Sequence, residues 1–532
     1  MLSEFKHTII FSFYDWKKIS SCNIILQMDF FPKIKNRQKG NKMLFPIIKE
    51  EGVTDSEKFL AQKIGDTFFS IWSYPNVYTD EGFSKNKEGK ELCDLLVVID
   101  QVAILFSDKD IKFNKEIDIH TAWKRWFKKS IIKSASQLFG AEQAIKLKRN
   151  NLYLDKKCTT ELPVNINKVT EIHLISVTRN TKELVKEYFS SDSGSLYCAF
   201  HYNAQECLEH PFFIGDLYPE KNFIHIFDDY SLSILMDELS TITDFIHYLR
   251  SKVNAIRKEN LFAATGEEEL LASFVKGMFV KKNTVGEIHI PVKNKDKHAV
   301  LLSEGLWEEL LYDNNYIYLK ENIKKFNYLD FLAKNLSDSI LNATVGLNKD
   351  SSFSSHEQAV KYLSLEPRLS RAVISQSIME KYEDVPSNVR SARLIPSLHF
   401  KERIFIMLFF PRDKNQNYEV YREERVNILH SYCLVAKYLL PKYSEFIAIA
   451  TEPQNSDGRS EDILYAEYKK PLDRNERDIA KELKKNGVLN DVNELKLNLT
   501  SLLPDHANKE KKTGRNSPCP CGSKIKFKRC CG

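Results

Sequence analysis

Four cysteines on a short basic segment have spacing that could do chemistry: Cys519, Cys521, Cys530 and Cys531, in the pattern C-x-C-x8-C-C. Thiolates so arranged can close around one tetrahedral zinc ion, a structural site with no open position for substrate. Residues 515–531 are too few to bury a core, so metal binding would itself drive their folding. The competing use of such thiols is a disulfide. Adjacent cysteines such as Cys530 and Cys531 seldom pair with each other, and no secretory context argues for oxidation.

A second group lies between residues 57 and 137. The apolar runs 92–99 and 102–106 predict adjacent strands, joined by a two-residue turn at Asp100 and Gln101. In that register Asp94 opposes Ser107, and Lys109, two residues further, shares their face. Asp108 points to the opposite face unless a bulge re-aims it. A carboxylate amid Leu92, Leu95, Leu96, Val97 and Val98 is costly to bury without a partner.

The flanking elements follow from helical periodicity. Phe59, Leu60, Ile64, Phe68 and Ile71 predict a helix over 54–71, started by Thr54, Asp55 and Ser56, with Glu57 in its first turn. Glu57 there is also what the helix dipole alone would favour. Residues 121–139 predict an amphipathic helix with Lys124, Lys128, Lys129 and Lys133 on a basic face and Gln137 near its end. Trp123 and Trp126 read as packing aromatics and the lysines as a solvated face, or as a track for a phosphate backbone.

The tail resembles the SEC-C motif, the SecA-type C-terminal segment. The resemblance rests on Arg515, Asn516, Pro518, Cys519, Pro520, Cys521, Gly522, Ser523, Lys526, Lys528, Cys530, Cys531 and Gly532, with Lys524 at a usual glycine and Phe527 in the aromatic place. It implies structural Zn²⁺ on the four cysteines and docking of a protein partner, such as a chaperone or the ribosome. Residues 57–138 resemble the PD-(D/E)XK nuclease core: a helix with an acid, a strand with Asp, a strand with (D/E)-x-K, then a helix with Gln. That resemblance implies phosphodiester hydrolysis with Mg²⁺ held by Asp94 and Glu57, Lys109 stabilising phosphate or water, and Gln137 assisting. The usual acid is Ser107 here, giving S-D-K. Three outcomes follow: a variant site with a water-bridged Ser107, a bulged site using Asp108, or an inactive descendant.

At 532 residues the chain predicts roughly three or four domains. Its 42% hydrophobic and 28% charged content is ordinary for a globular protein, and a net charge of +6 does not by itself announce nucleic acid. Cys22, Cys93, Cys158, Cys198, Cys207 and Cys433 are scattered like buried reduced thiols of a cytoplasmic protein. No apolar run reaches the roughly twenty residues of a membrane span. Lone histidines without H-E-x-x-H, and the lack of a phosphate-cradling glycine loop or nucleophile elbow, give no support to a zincin, ATPase or serine hydrolase.

The expected class is mixed α/β and multidomain. Residues 1–42 are expected to form an extension, disordered or translated from an upstream start; 43–260 are expected to hold the nuclease-like α/β region. Residues 261–503 form a second region, mainly helical over 260–345, with a β-α-β unit (403–410, 423–440, 445–450) and a polar loop at 451–462 that reads as a surface connection. A linker (504–516) leads to the zinc tail (517–532). The leading expectation is a zinc-tailed, metal-dependent nuclease. The alternatives are a non-enzymatic adaptor and a nucleic-acid binder with an inactive core.

Overall fold

The computed structural model describes residues 7–10, 44–148, 151–191, 194–281, 284–288, 299–345, 352–413, 415–456, 459–490, 497, 499–502, 515–519, 523 and 525–530. The protein is a mixed α/β chain with three sheets among these residues. It divides into two compact units, one of residues 48–321 with 502–532, the other of residues 1–47 with 322–501.

The first unit is built on α1 (Asp55–Phe68), β1 (Ser73–Thr79), β2 (Lys90–Ile99), β3 (Val102–Lys109), α2 (Ile119–Phe127), α3 (Lys133–Leu147), β4 (Leu152–Tyr153), β5 (Glu171–Thr178) and β6 (Ile224–Asp228). Its six-stranded sheet has the order β4-β1-β2-β3-β5-β6. The first four neighbours pair antiparallel, whereas β3, β5 and β6 run parallel. Parallel neighbours need a crossover, and α2 and α3 supply the one between β3 and β5. From Leu92 to Ile99 every residue of β2 is buried, so the strand reads as a continuous apolar run because both its faces are covered.

The predicted hairpin forms, with Ile99 opposite Val102 and Leu95 opposite Phe106. Asp100 takes the left-handed φ of 53° that so short a turn demands. α1 begins with the reciprocal capping box of Thr54 and Glu57, the Thr54 hydroxyl accepting from the Glu57 N–H. The helix expected at 121–139 starts at Ile119 and, through a π-type turn at Lys128–Ile132, reaches Leu147. Trp123 and Trp126 are buried and stacked 5.2 Å apart, their indoles donating to Cys207 O and Ile111 O.

Some expectations differ from the structure. Part of the stretch 260–345 is extended: Leu261–Ala264 and Val300–Leu302 pair in a small sheet with Tyr197–Ala199 and Phe213–Ile214. These strands are so short that periodicity could not register them. Two helices follow β6, Asp229–Glu238 and Ile242–Lys258. Asp228 caps the first, accepting from Ser231 N–H at 2.7 Å, and Thr241 with Asp244 starts the second.

The second unit carries a five-stranded sheet in the order His7–Ile10, Asp462–Glu467, Glu445–Thr451, Arg403–Phe409, Ser391–Pro396. Arg403–Phe409 and Glu445–Thr451 are parallel and connected by the helix Tyr418–Leu439, the expected β-α-β unit. His7–Ile10 falls within the expected extension, of which residues 1–6 and 11–42 lie outside the described residues. The 451–462 segment is a surface connection only in its middle, where Asn455 and Arg459 are exposed. Glu452, Ser460 and Asp462 are buried, because Arg425 on the connecting helix reaches all three.

Candidate functional site

The hairpin and α3 bring Asp94, Ser107, Lys109 and Gln137 onto one constellation. Asp94 is 5% exposed on β2. Its Oδ2 accepts from the Asp108 N–H at 2.6 Å and from Lys109 Nζ at 3.0 Å, and its Oδ1 accepts from Gln137 Nε2 at 3.0 Å. Ser107 Oγ lies 3.3 Å from Asp94 Oδ2, 3.1 Å from Gln137 Oε1 and 3.1 Å from Ser134 Oγ. The carboxylate demanded a partner and has several, drawn from β3 and α3.

Asp108 faces elsewhere. Its carboxylate takes a two-pronged contact from Arg179, Nε at 3.1 Å and Nη2 at 2.9 Å, and Arg179 also donates to Ser56 O at the start of α1. Burial pushes the Asp108 carboxyl up, with the Arg179 guanidinium pulling it back. Thus Asp108 ties β3 to α1 and the β5 end instead of joining Asp94. Of the lysines, Lys124 pairs with Glu209 at 2.5 Å, while Lys128, Lys129 and Lys133 are exposed.

Glu57 does double duty. Its Oε2 accepts from Val53 N–H at 2.8 Å and Thr54 N–H at 3.4 Å, and also from Asn76 Nδ2 at 3.3 Å. The same Asn76 nitrogen donates to Glu91 Oε1 at 3.0 Å. Asn76 and Glu91 escaped the sequence reading. By the β1–β2 register, Pro75 faces Leu95 and Val77 faces Cys93, so Asn76 stands across from Asp94. The register then shifts, with Tyr78 facing Glu91. That irregularity places an extra residue in β2 and carries Glu91 to the Asp94 face, against strict alternation. An asparagine in an apolar strand was the one visible signal.

The neighbourhood is acidic. Part of Glu91 meets solvent, yet its carboxyl is pushed up by desolvation, held back by the Asn76 amide, and pushed further by Asp94 and Glu57, with Lys109 opposing. Tyr78 is raised to about 12 by burial and by the Glu91, Glu50, Glu57 and Asp155 carboxylates. Among the described residues no three His, Cys, Asp or Glu side chains stand close enough to hold a metal by themselves. Mg²⁺ does not require such a cage, since it commonly takes one or two carboxylates and fills its shell with water and substrate phosphate.

The tail is a second candidate centre. Cys519 and Cys530 are buried together against Ile525 and Phe527. Pro518 bridges to Lys526, Cys519 N–H donates to Ile525 O at 2.7 Å, and Cys530 N–H donates to Phe527 O at 3.0 Å. This small hairpin with a turn of 3₁₀-helix (Phe527–Arg529) brings one cysteine from each end of the motif together. Cys521 and Cys531 lie outside the described residues. Elsewhere Cys93, Cys198, Cys207 and Cys433 are buried thiols, and burial pushes Cys207 up to about 12.

Comparison with known proteins bears on the tail. Residues 515–532 match the SEC-C motif. The protein translocase subunit SecA of Syntrophotalea carbinolica is 74% identical over 23 residues, which is 4% of this chain and 3% of that relative. No solved structure matches the chain. No helix among the described residues is long and apolar enough to cross a membrane.

Proposed function

We propose that the 48–321 unit is a metal-dependent phosphodiester hydrolase with a PD-(D/E)XK-like, restriction-endonuclease-like core, and that the SEC-C tail is a structural zinc site that docks a protein partner. The observation that carries the first half is the Asp94–Lys109 pair at 3.0 Å, with Gln137 on the other carboxylate oxygen. An acid on β2 lies within hydrogen-bonding distance of an amine on β3 and an amide on α3, which supports this reading. Beyond α3 the chain returns in β5, parallel to β3.

When bound, Mg²⁺ would neutralise phosphate charge and lower the pKa of its water. Glu57 would hold it, whereas Asp94, which the resemblance makes a second ligand, already accepts protein donors through both oxygens. Lys109, whose side chain is 19% exposed, can swing from Asp94 toward a phosphate oxygen while Gln137 keeps the carboxylate oriented. Exposed Lys128, Lys129 and Lys133 would meet a nucleic-acid backbone. The buried thiols fit a reducing, cytoplasmic setting.

The test is incubation of the purified full-length chain with single- and double-stranded DNA and RNA, with Mg²⁺, Mn²⁺ or EDTA. Metal-dependent cleavage should fall at least ~100-fold in Asp94→Asn, on the scale of losing one catalytic group. Undiminished cleavage by that variant removes the assignment. One observation favours a second reading, a nucleic-acid binder or adaptor with an inactive core: both Asp94 oxygens already accept protein donors. Retention of nucleic acid without cleavage under any metal would select it.

For the tail, the thiol chemistry and the packing of Cys519 beside Cys530 suit zinc. Native mass spectrometry should find one zinc per chain, lost when Cys519→Ser and Cys530→Ser are combined. A chain that keeps zinc in that double variant refutes the tail site.

A further inference from the structure

Asn76 is fully buried and its side-chain Oδ1 has no hydrogen-bond partner among the described residues. An orphaned buried amide oxygen costs about 1–3 kcal/mol, so a native structure keeps one for a reason. Its nitrogen lies between two carboxylates, 3.3 Å from Glu57 Oε2 and 3.0 Å from Glu91 Oε1. Those N–H groups occupy the place between two acids where a cation would be attracted. A half-turn of the amide exchanges its nitrogen and oxygen, and would add a third oxygen to the same point.

Charge argues the same way. Asp94 and Glu57 both act electrostatically on Glu91, and Lys109 is the cation that opposes them there. Asp94 spends its oxygens on protein donors, so it is the acid least available to a metal. Ser107, where an acid would otherwise stand, brings only a hydroxyl.

We propose that Glu57, Asn76 and Glu91 form the oxygen donor set for a divalent cation at this site, Glu91 supplying from β2 the acid that Ser107 does not supply from β3. Three oxygens with water and a phosphate oxygen completing the shell suit Mg²⁺ or Mn²⁺. In this arrangement Asp94 is a positioning residue that holds Lys109 and Gln137 beside the cation. The inference rests on the hydrolase reading for its substrate, but the cation site is separable from it.

The probe is Mn²⁺, titrated into the zinc-loaded full-length chain without nucleic acid and followed by electron paramagnetic resonance. Wild type should bind one Mn²⁺, and Glu91→Gln, on a solvent-facing side chain, should weaken it at least ~10-fold, as loss of a metal-site group does. The surface variant Glu88→Gln should leave affinity unchanged. Asn76→Asp, which adds a carboxylate at the same point, should bind at least as tightly as wild type. Equal affinity in wild type and Glu91→Gln, or no Mn²⁺ bound by wild type, overturns the site. If Asp94→Asn abolishes cleavage while Glu91→Gln keeps wild-type Mn²⁺ affinity, this inference falls and the hydrolase stands. If Mn²⁺ binds as expected and nothing is cleaved, the reverse holds.

Discussion

Each unit buries an aspartate on an inner strand of its sheet, and the two are satisfied in different ways. Asp462 is fully buried and met by two arginines, Arg425 through Nε at 2.6 Å and Arg422 through Nη2, with Arg425 also 3.2 Å from Glu452. Arg425 is itself fully buried. Asp94 is met by a lysine that remains partly exposed, an amide and a backbone N–H. Rigid guanidinium forks enclosed on every side suit permanence, whereas a flexible ammonium at the margin suits exchange with a ligand. Burial of a charge is therefore no sign of function; incomplete enclosure of its partner is the better one.

The contrast is broken most severely at Arg425. Arg425→Ala leaves Asp462 and Glu452 uncompensated and should cost about 3–5 kcal/mol. Hydrogen exchange of the Asp462–Glu467 and Glu445–Thr451 amides reads this directly, through faster exchange at both strands. Lys109→Met should cost only about 1–2 kcal/mol, since Asp94 keeps its other donors. Four of the five tryptophans, Trp72, Trp123, Trp126 and Trp307, lie within residues 48–321, so in a Trp16→Phe background fluorescence-detected urea unfolding reports on that unit. Comparable losses at both positions would erase the distinction between a sealed and an open carboxylate.

Much of the Asp94 site was legible because it depends on pleat and helix period. Once two strands meet at a two-residue turn, Asp94, Ser107 and Lys109 must share a face, and Gln137 follows from α3. Glu91 was illegible because a register shift overrides alternation, and such a shift leaves no mark in residue types. Glu452, Ser460 and Asp462 were misread for a related reason. Polarity predicts exposure unless a partner arrives from far along the chain, and Arg425 is such a partner.

The acidic interior of the 48–321 unit gives a smaller, pH-dependent effect. Burial raises the Asp228 carboxyl to about 7, although Ser231 and Leu196 N–H groups donate to it. Folded, Asp228 holds its proton until about pH 7; unfolded, it releases it near 4. Its stabilising contribution is therefore complete below about pH 4 and lost as pH rises through about 7. His225, held neutral by burial, acts oppositely below its usual range. Asp228→Asn isolates the carboxyl, because asparagine also caps helices. Between pH 5 and 8 wild type should lose about 1–3 kcal/mol more than the variant. Parallel pH profiles would mean that the carboxyl is ionised in the folded chain.

The finest discrimination concerns Glu57, which serves a helix cap and, in our proposal, a cation. Glutamine completes a capping box as glutamate does, so Glu57→Gln should change stability by no more than about 0.5 kcal/mol. It removes a charge from the donor set, so Mn²⁺ affinity should still fall ~10-fold. Thr54→Ala does the converse. It deletes the cap hydroxyl at a cost of about 1 kcal/mol and leaves the three oxygens in place, so affinity should stay within about twofold. If both variants lose affinity in proportion to stability, Glu57 matters only because it starts α1, and the site would then resemble the sealed Asp462 more than the open Asp94.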